Sequence, residues 1–329
     1  MSNSRPGIDP KAPLQFVINA AAGSNAANSK REVIEGALNA AGRQGNLLFS
    51  HPVDLVQVAQ LATTQAIATR TAVVAVGGDG TLNTVAQAAH ALGCPMGVVP
   101  QGTFNYFART HGIPSDPTEA TRQLLQWSPW PVQVAAINDR VFLVNASLGL
   151  YPDLLEDREA YKARFGRSRW VAFWAAAITL LRAQRRLRLR IEQGAAVRDV
   201  KALTLFVGNN RLQLEQLGVE PEQVMRAAYI TAVMLRPIGT LSMLRLMLHG
   251  AMGTLGEAHS VEHFEFDHLV VRPTLVPGRR GIKVAFDGEV TRLSAPLDFR
   301  VLAKPLYLLK PGPQLDPSDT TAPPTSSGP

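Results

Sequence analysis

Gly77-Gly78-Asp79-Gly80-Thr81 packs three glycines and a carboxylate into five residues. Glycines allow backbone conformations closed to other residues and let a ligand approach the main chain. The run Ala72-Val73-Val74-Ala75-Val76 before it reads as a strand. Leu82, Val85, Ala86, Ala89 and Leu92 after it keep helical spacing. Strand, glycine loop and helix together gather phosphate oxygens on backbone N–H groups and a helix N-terminus. Asp79 repels phosphate, so its place in such a loop implies a cation, Mg²⁺, between them. The same five residues could also form a tight turn with a surface Asp.

The surrounding pattern supplies the elements that would hold this loop. Residues 14–18, 46–50, 72–76 and 96–99 read as strands, with helices at 30–41, 53–68 and 82–92. Repeated strand–helix units imply a parallel sheet with right-handed crossovers and ligands at the strands' carboxyl ends. Three polar loops follow such ends, at 19–24, 77–83 and 101–105, and are expected to face one cleft. After Trp130 the texture changes to short strands, at 132–136, 140–145, 187–192, 202–207, 228–234, 264–271, 281–286 and 299–303. Helical stretches interrupt them at 170–183 and 241–252. The expected fold is an α/β N-terminal domain with a Rossmann-like parallel sheet, plus a mainly antiparallel β-sandwich. We expect a flexible lead-in over 1–12, a nucleotide-binding domain over 13–130, a β-rich domain over 131–310 whose last strand can pack back on the first, and a disordered Pro/Ser/Thr-rich tail over 311–329.

At 329 residues, with 46% hydrophobic and 18% charged residues, the chain suits about two globular domains. No apolar run approaches the ~20 residues of a membrane span, and residues 1–6 lack a secretory apolar core. The expected location is cytoplasmic, at most peripheral to the inner membrane surface. One cysteine, Cys94, excludes an internal disulfide and a cysteine-rich zinc site. Of the seven histidines, His90, His111, His249, His259, His263 and His268 show no metal spacing. Of the net charge of +7, ten Lys or Arg against the single acid Glu159 fall between Arg158 and Arg190. That stretch fits an anionic membrane or substrate, or a solvated basic face. Sparse aromatics, 6%, give no stacking array for nucleic acid, which is not expected as a partner. A homodimer is compatible with the chain, and the sequence does not fix the oligomeric state.

The glycine motif, Pro100-Gln101-Gly102-Thr103-Phe104-Asn105-Tyr106-Phe107-Ala108-Arg109, Val144-Asn145-Ala146-Ser147-Leu148-Gly149-Leu150 and the late Phe286-Asp287-Gly288-Glu289 occur in this order. Together they make the chain resemble the diacylglycerol kinase catalytic-domain family, more narrowly its soluble bacterial lipid kinases, over about residues 14–309. NAD kinases and 6-phosphofructokinases share a loop similar to the first motif, so the others discriminate. The resemblance implies ATP-dependent phosphoryl transfer, with Mg²⁺, to a lipid hydroxyl. It implies nucleotide contacts from Asn19, Ser50, Gly77, Gly78, Asp79, Gly80, Thr81, Leu82, Asn83, Gly102, Thr103 and Asn105, with Asp79 toward the metal. It implies Glu289 as general base, with Asp287 beside it.

Chemistry agrees, since an alcohol needs a carboxylate to take its proton as the phosphoryl group moves. On a regular strand Asp287 and Glu289, two apart, would share a face. An Asp-Gly hairpin turn with a solvated Glu is the alternative. The first loop, Asn19-Ala20-Ala21-Ala22-Gly23, departs from the family's Asn-Pro-x-Ser-Gly, and Tyr106 stands where an acid or His is usual. Arg226-Ala227-Ala228-Tyr229 lacks the acid of a structural Mg²⁺ site found in many relatives, and the glycines usual after Gly208-Asn209 are missing. The alternatives are an NAD kinase-like phosphotransferase on a soluble substrate and a non-catalytic lipid- or nucleotide-binding protein on the kinase scaffold.

Overall fold

The computed structural model describes residues 5–20, 24–102, 104–150, 152, 187–209, 228–237, 261–274 and 281–312. Thr103, the helices expected at 170–183 and 241–252, most of the basic stretch 158–190 and most of the tail lie outside them.

Strands β1 (Leu14–Asn19), β2 (Gly45–Ser50), β3 (Val73–Gly77) and β4 (Met96–Pro100) run parallel, in the order β2-β1-β3-β4. Helices α1 (Ser24–Ala40), α2 (Leu55–Ala68) and α3 (Asp79–Leu92) connect them. Every residue of β3 and β4 is buried, as expected of parallel strands covered on both faces. After β4 come the short helix α4 (Tyr106–Thr110) and α5 (Pro117–Leu124), which packs with α1 while α2 packs with α3. Asp116 caps α5 by accepting from the Glu119 amide at 2.8 Å.

Because β2 and β3 flank β1 on opposite sides, the winding reverses between β1 and β3. A crevice opens at such a point, outside the strands' carboxyl ends. Two further strands complete this sheet: β5 (Ser128–Val132) and, from the far end of the chain, β18 (Leu306–Lys310), inserted between β4 and β5.

Between β5 and β18 lie two antiparallel sheets. One contains β6 (Ala135–Ile137), β7 (Arg140–Phe142), β9 (Leu187–Gln193), β10 (Ala196–Ala202), β14 (His268–Pro273) and β17 (Leu297–Val301), ordered β10-β9-β14-β17-β6-β7. The other contains β8 (Asn145–Gly149), β11 (Thr204–Gly208), β12 (Ile230–Leu235), β13 (Val261–Phe266), β15 (Ile282–Phe286) and β16 (Glu289–Leu293), ordered β13-β12-β11-β8-β15-β16. Phe142, Ile191 and Phe299 from the first meet Leu148, Leu205 and Phe266 from the second in one buried core. The architecture is thus an α/β unit joined to a β-sandwich. Among the described residues no helix is long and apolar enough to cross a membrane.

Three boundaries differ from the sequence reading for physical reasons. Helix α3 begins at Asp79 rather than Leu82, so half of the glycine motif is the first helical turn. The stretch 264–271 splits into β13 and β14 at Asp267, and the two halves enter different sheets; Phe264-Glu265-Phe266-Asp267 alternates as one strand would, which hid the crossing. Strands β10 and β16 were not expected, because their polar residues mask the alternation of edge strands.

Candidate active site

The crevice between β1 and β3 is closed by polar contacts from both strand ends. Asn19, the last residue of β1, donates from Nδ2 to Thr81 Oγ1 at 3.1 Å. Gly77, the last residue of β3, accepts from the Gln101 amide at 2.8 Å, which ties the loop after β4 to the glycine motif. There a Cβ on Gly102 would lie 3.4 Å from Gly78 Cα. Asn105, at φ +49, holds that loop by accepting from Gly102 N at 2.9 Å. Gly78 in extended conformation caps α3, so the first N–H groups of the helix open toward the crevice.

Not every residue expected to touch nucleotide faces the crevice. Leu82 is buried in the core and its amide bonds Gly78 O at 3.0 Å, so neither group is available to a ligand. Ser50 is buried and its hydroxyl turns toward Ile18 O, at 3.5 Å. Asn83 donates to Val141 O at 2.8 Å and Asp287 Oδ2 at 2.7 Å, which binds α3 to the sandwich instead. Asn19, Gly77, Gly78, Asp79, Gly80, Thr81, Gly102 and Asn105 do come together; Thr103 lies outside the described residues.

Asp287 and Glu289 do not share a strand face. Phe286 pairs with Glu289 across a two-residue turn, with Asp287 at φ +46 and Gly288 at φ +87. Positive φ at both central positions marks a type I′ hairpin, for which Asp-Gly is a preferred pair. The turn sends the two carboxylates to different places.

Asp287 goes inward. Its Oδ2 accepts from Leu143 N at 2.7 Å and from Asn83 Nδ2, while Oδ1 accepts from Val144 N at 2.8 Å and Asn145 N at 3.1 Å. Burial pushes its pKa up to about 6, against the downward pull of those four donors. With both oxygens filled by protein donors, Asp287 is a positioning residue. It joins α3, the β7–β8 connection and the β15–β16 hairpin.

Glu289 goes outward and reaches across to α3. A Cβ built on Gly80 would stand 3.2 Å from the Glu289 carboxyl carbon and closer still to Oε1. A side chain at position 80 would make the Glu289 carboxyl turn aside, so glycine lets that carboxylate rest against the helix. An exposed carboxylate from the sandwich therefore lies against the first turn of α3.

Asp79 sits in that same turn. Burial raises its pKa, and no cation partners it among the described residues. No group of three or more metal-ligating side chains occurs among them. One carboxylate beside the open N–H groups of the α3 N-terminus fits Mg²⁺, which keeps waters and binds through one or two carboxylates plus phosphate oxygens. In the second unit, the polar groups near Ala228 are filled by an amide: Gln133 accepts from Ala228 N at 2.9 Å and donates to Tyr229 O at 2.9 Å and Asn209 Oδ1 at 3.0 Å.

The sequence reading did not anticipate the Asn83–Asp287 bond. Its one signal was an Asn two residues after the glycine motif with no core role. Asp287→Ala strands four donors, three of them backbone amides, and is expected to cost at least about 3 kcal/mol in urea unfolding. A folded-state pKa above the ordinary carboxylate value also sets the pH dependence. This group's contribution to stability is full below about pH 4 and is lost as pH rises through about 6. Asp287→Asn should remove that decline from the stability–pH profile; an unchanged profile would contradict the assignment.

Residues 13–137 match the model of the diacylglycerol kinase catalytic domain. A Klebsiella pneumoniae protein described as a probable lipid kinase, YegS-like, is 37% identical over 98 residues, 29% of this chain and 33% of that protein. A Cronobacter sakazakii protein of the same description is 30% identical over 145 residues, 42% of this chain and 48% of that protein. The chain thus spans a third to a half of the length of these curated relatives. A crystal structure of a diacylglycerol kinase from Bacillus anthracis str. Sterne shares the fold at a TM-score of 0.63 and 18% identity, over 91% of this chain and 97% of that one. The family match falls on the unit that holds the glycine crevice, and residues 13–137 are similar to the diacylglycerol kinase catalytic domain.

Proposed function

We propose that the protein is an ATP-dependent lipid kinase that moves the γ-phosphoryl group of ATP to a hydroxyl of a diacylglycerol-like acceptor. The observation that carries this reading is the Glu289 carboxylate against Gly80, which puts a proton acceptor beside the phosphate-binding turn. The nucleotide phosphates lie on the free N–H groups of α3 and along Gly77, Gly78 and Gly102, with Asn19, Thr81 and Asn105 fixing the loops. Thr103 adds a hydroxyl. Asp79 holds Mg²⁺, which when bound neutralises charge on the phosphate oxygens. Glu289 accepts the acceptor's hydroxyl proton as its oxygen bonds to the γ-phosphorus and the bond to the ADP oxygen breaks. Asp287 keeps Glu289 in place and takes no proton from substrate.

The test is incubation with labelled ATP and a total lipid extract, followed by identification of the product. A labelled phospholipid is expected, with a rate at least ~100-fold lower for Glu289→Gln and ATP binding unchanged. Label on NAD and on no lipid would favour the soluble-substrate alternative. Undiminished transfer by Glu289→Gln would remove that residue from the mechanism.

We also infer peripheral contact with an anionic membrane. Of the basic stretch, Arg188 and Arg190 are described, and both are exposed on β9. Across the strands Arg188 faces Lys201, and Arg190 faces Arg272 as well as Asp199. Arg272 is paired with Glu192 at 2.8 Å, so the directly opposed like charges that an anion would compensate are Arg188 and Lys201. Vesicles containing phosphatidylglycerol should sediment the protein, and pure phosphatidylcholine vesicles should not. Arg188→Glu with Arg190→Glu should abolish the difference; equal binding to both vesicles would overturn the inference.

A further inference from the structure

Lys30 lies in the second turn of α1, and its side chain returns to the end of β1. Its Nζ donates to the Asn19 carbonyl at 2.7 Å. Asn19 in turn bonds Thr81, in the first turn of α3, so the ammonium is one residue removed from the anion-binding turn. It stands where the winding of the sheet reverses. The intervening loop, Ala20-Ala21-Ala22-Gly23, supplies no side-chain donor, whereas Asn19 and Lys30 both bring polar groups to this side of the crevice.

A lysine ammonium carries three N–H donors, and the Asn19 carbonyl takes one. Its nearest conventional use would be as a clamp on the strand end. A neutral donor would serve that purpose without the cost of withdrawing a charge from water. Here the charge is partly withdrawn: burial lowers the Lys30 pKa, and no carboxylate among the described residues pairs with it. A half-buried cation without a counter-charge, beside backbone N–H groups that favour anions, is the arrangement expected of a phosphate site before its ligand arrives.

We propose that Lys30 is a nucleotide-binding residue whose ammonium bridges the Asn19 carbonyl and the phosphate chain of ATP, in an inference that rests on the kinase reading above. It complements the helix N-terminus from the β1 side, while Asp79 acts through its cation within α3. Charge neutralisation on the donor then comes from two sides of the crevice, as phosphoryl transfer requires.

The experiment is equilibrium binding of ATP, ADP and AMP to the full chain, wild type, Lys30→Met and Lys30→Arg, with thermal unfolding of each. Lys30→Met is expected to weaken ATP binding by tenfold or more, with a smaller effect on AMP, at little change in melting temperature. Lys30→Arg should recover part of the loss. A purely structural clamp would instead lower the melting temperature of Lys30→Met and leave the three affinities in their wild-type ratios, which overturns the proposal. If wild type binds ATP and Lys30→Met binds it equally well, this inference fails and the kinase reading stands. If wild type binds no nucleotide, both fail.

Discussion

The Asp287 carboxylate, enclosed by four N–H donors, is the constraint on which the site depends. Three donors come from consecutive amides at Leu143, Val144 and Asn145, and one from Asn83 on α3. The carboxylate itself belongs to a hairpin that begins and ends far from either. A buried charge is costly unless its hydrogen-bonding capacity is filled. Filling it here requires the α/β unit, the β7–β8 connection and the hairpin to meet in one arrangement. Where they meet, Glu289 is carried over Gly80. Asn83 and Gln87, four apart on α3, reinforce the same docking: Asn83 donates to Val141 O and Gln87 accepts from Val141 N at 2.7 Å.

The division of labour between the two units follows from this docking. The first supplies a surface suited to an anion: apolar strands, a winding reversal and a helix start where glycine leaves backbone groups open. The second supplies a carboxylate from outside that surface. Neither has both parts. Strand β18 returns the chain from the sandwich into the first sheet, so the connection is made twice, through β5 and β18, beyond the side-chain bonds.

Much of this was legible in the sequence, for reasons that differ by element. The β3–α3 loop was legible because an all-apolar run, glycines and a helical repeat adjoin one another, and each is a local signal. Gly102 and Asn105 were legible as a second loop at a strand end. The split of 264–271 was hidden because alternating Phe264-Glu265-Phe266-Asp267 looks alike whether the chain stays in one sheet or crosses to another. Asp287 and Asn83 had sites assigned by motif, but their partners lie about sixty or more residues away, and nothing local distinguishes a carboxylate that meets substrate from one that holds the fold. Gly80 read as a flexible loop residue, and nothing local showed that a carboxylate from the other unit lies against it.

The central claim is that Asp287 acts through Glu289, and a double-mutant cycle on phosphoryl transfer tests it most directly. Turnover would be measured for wild type, Asp287→Asn, Glu289→Gln and the double variant under saturating ATP, with folding of each checked by thermal unfolding. The account predicts that Asp287→Asn slows the wild-type reaction but adds almost nothing once Glu289 is gone. Fully additive losses would show that Asp287 contributes to the chemistry on its own and would contradict the account.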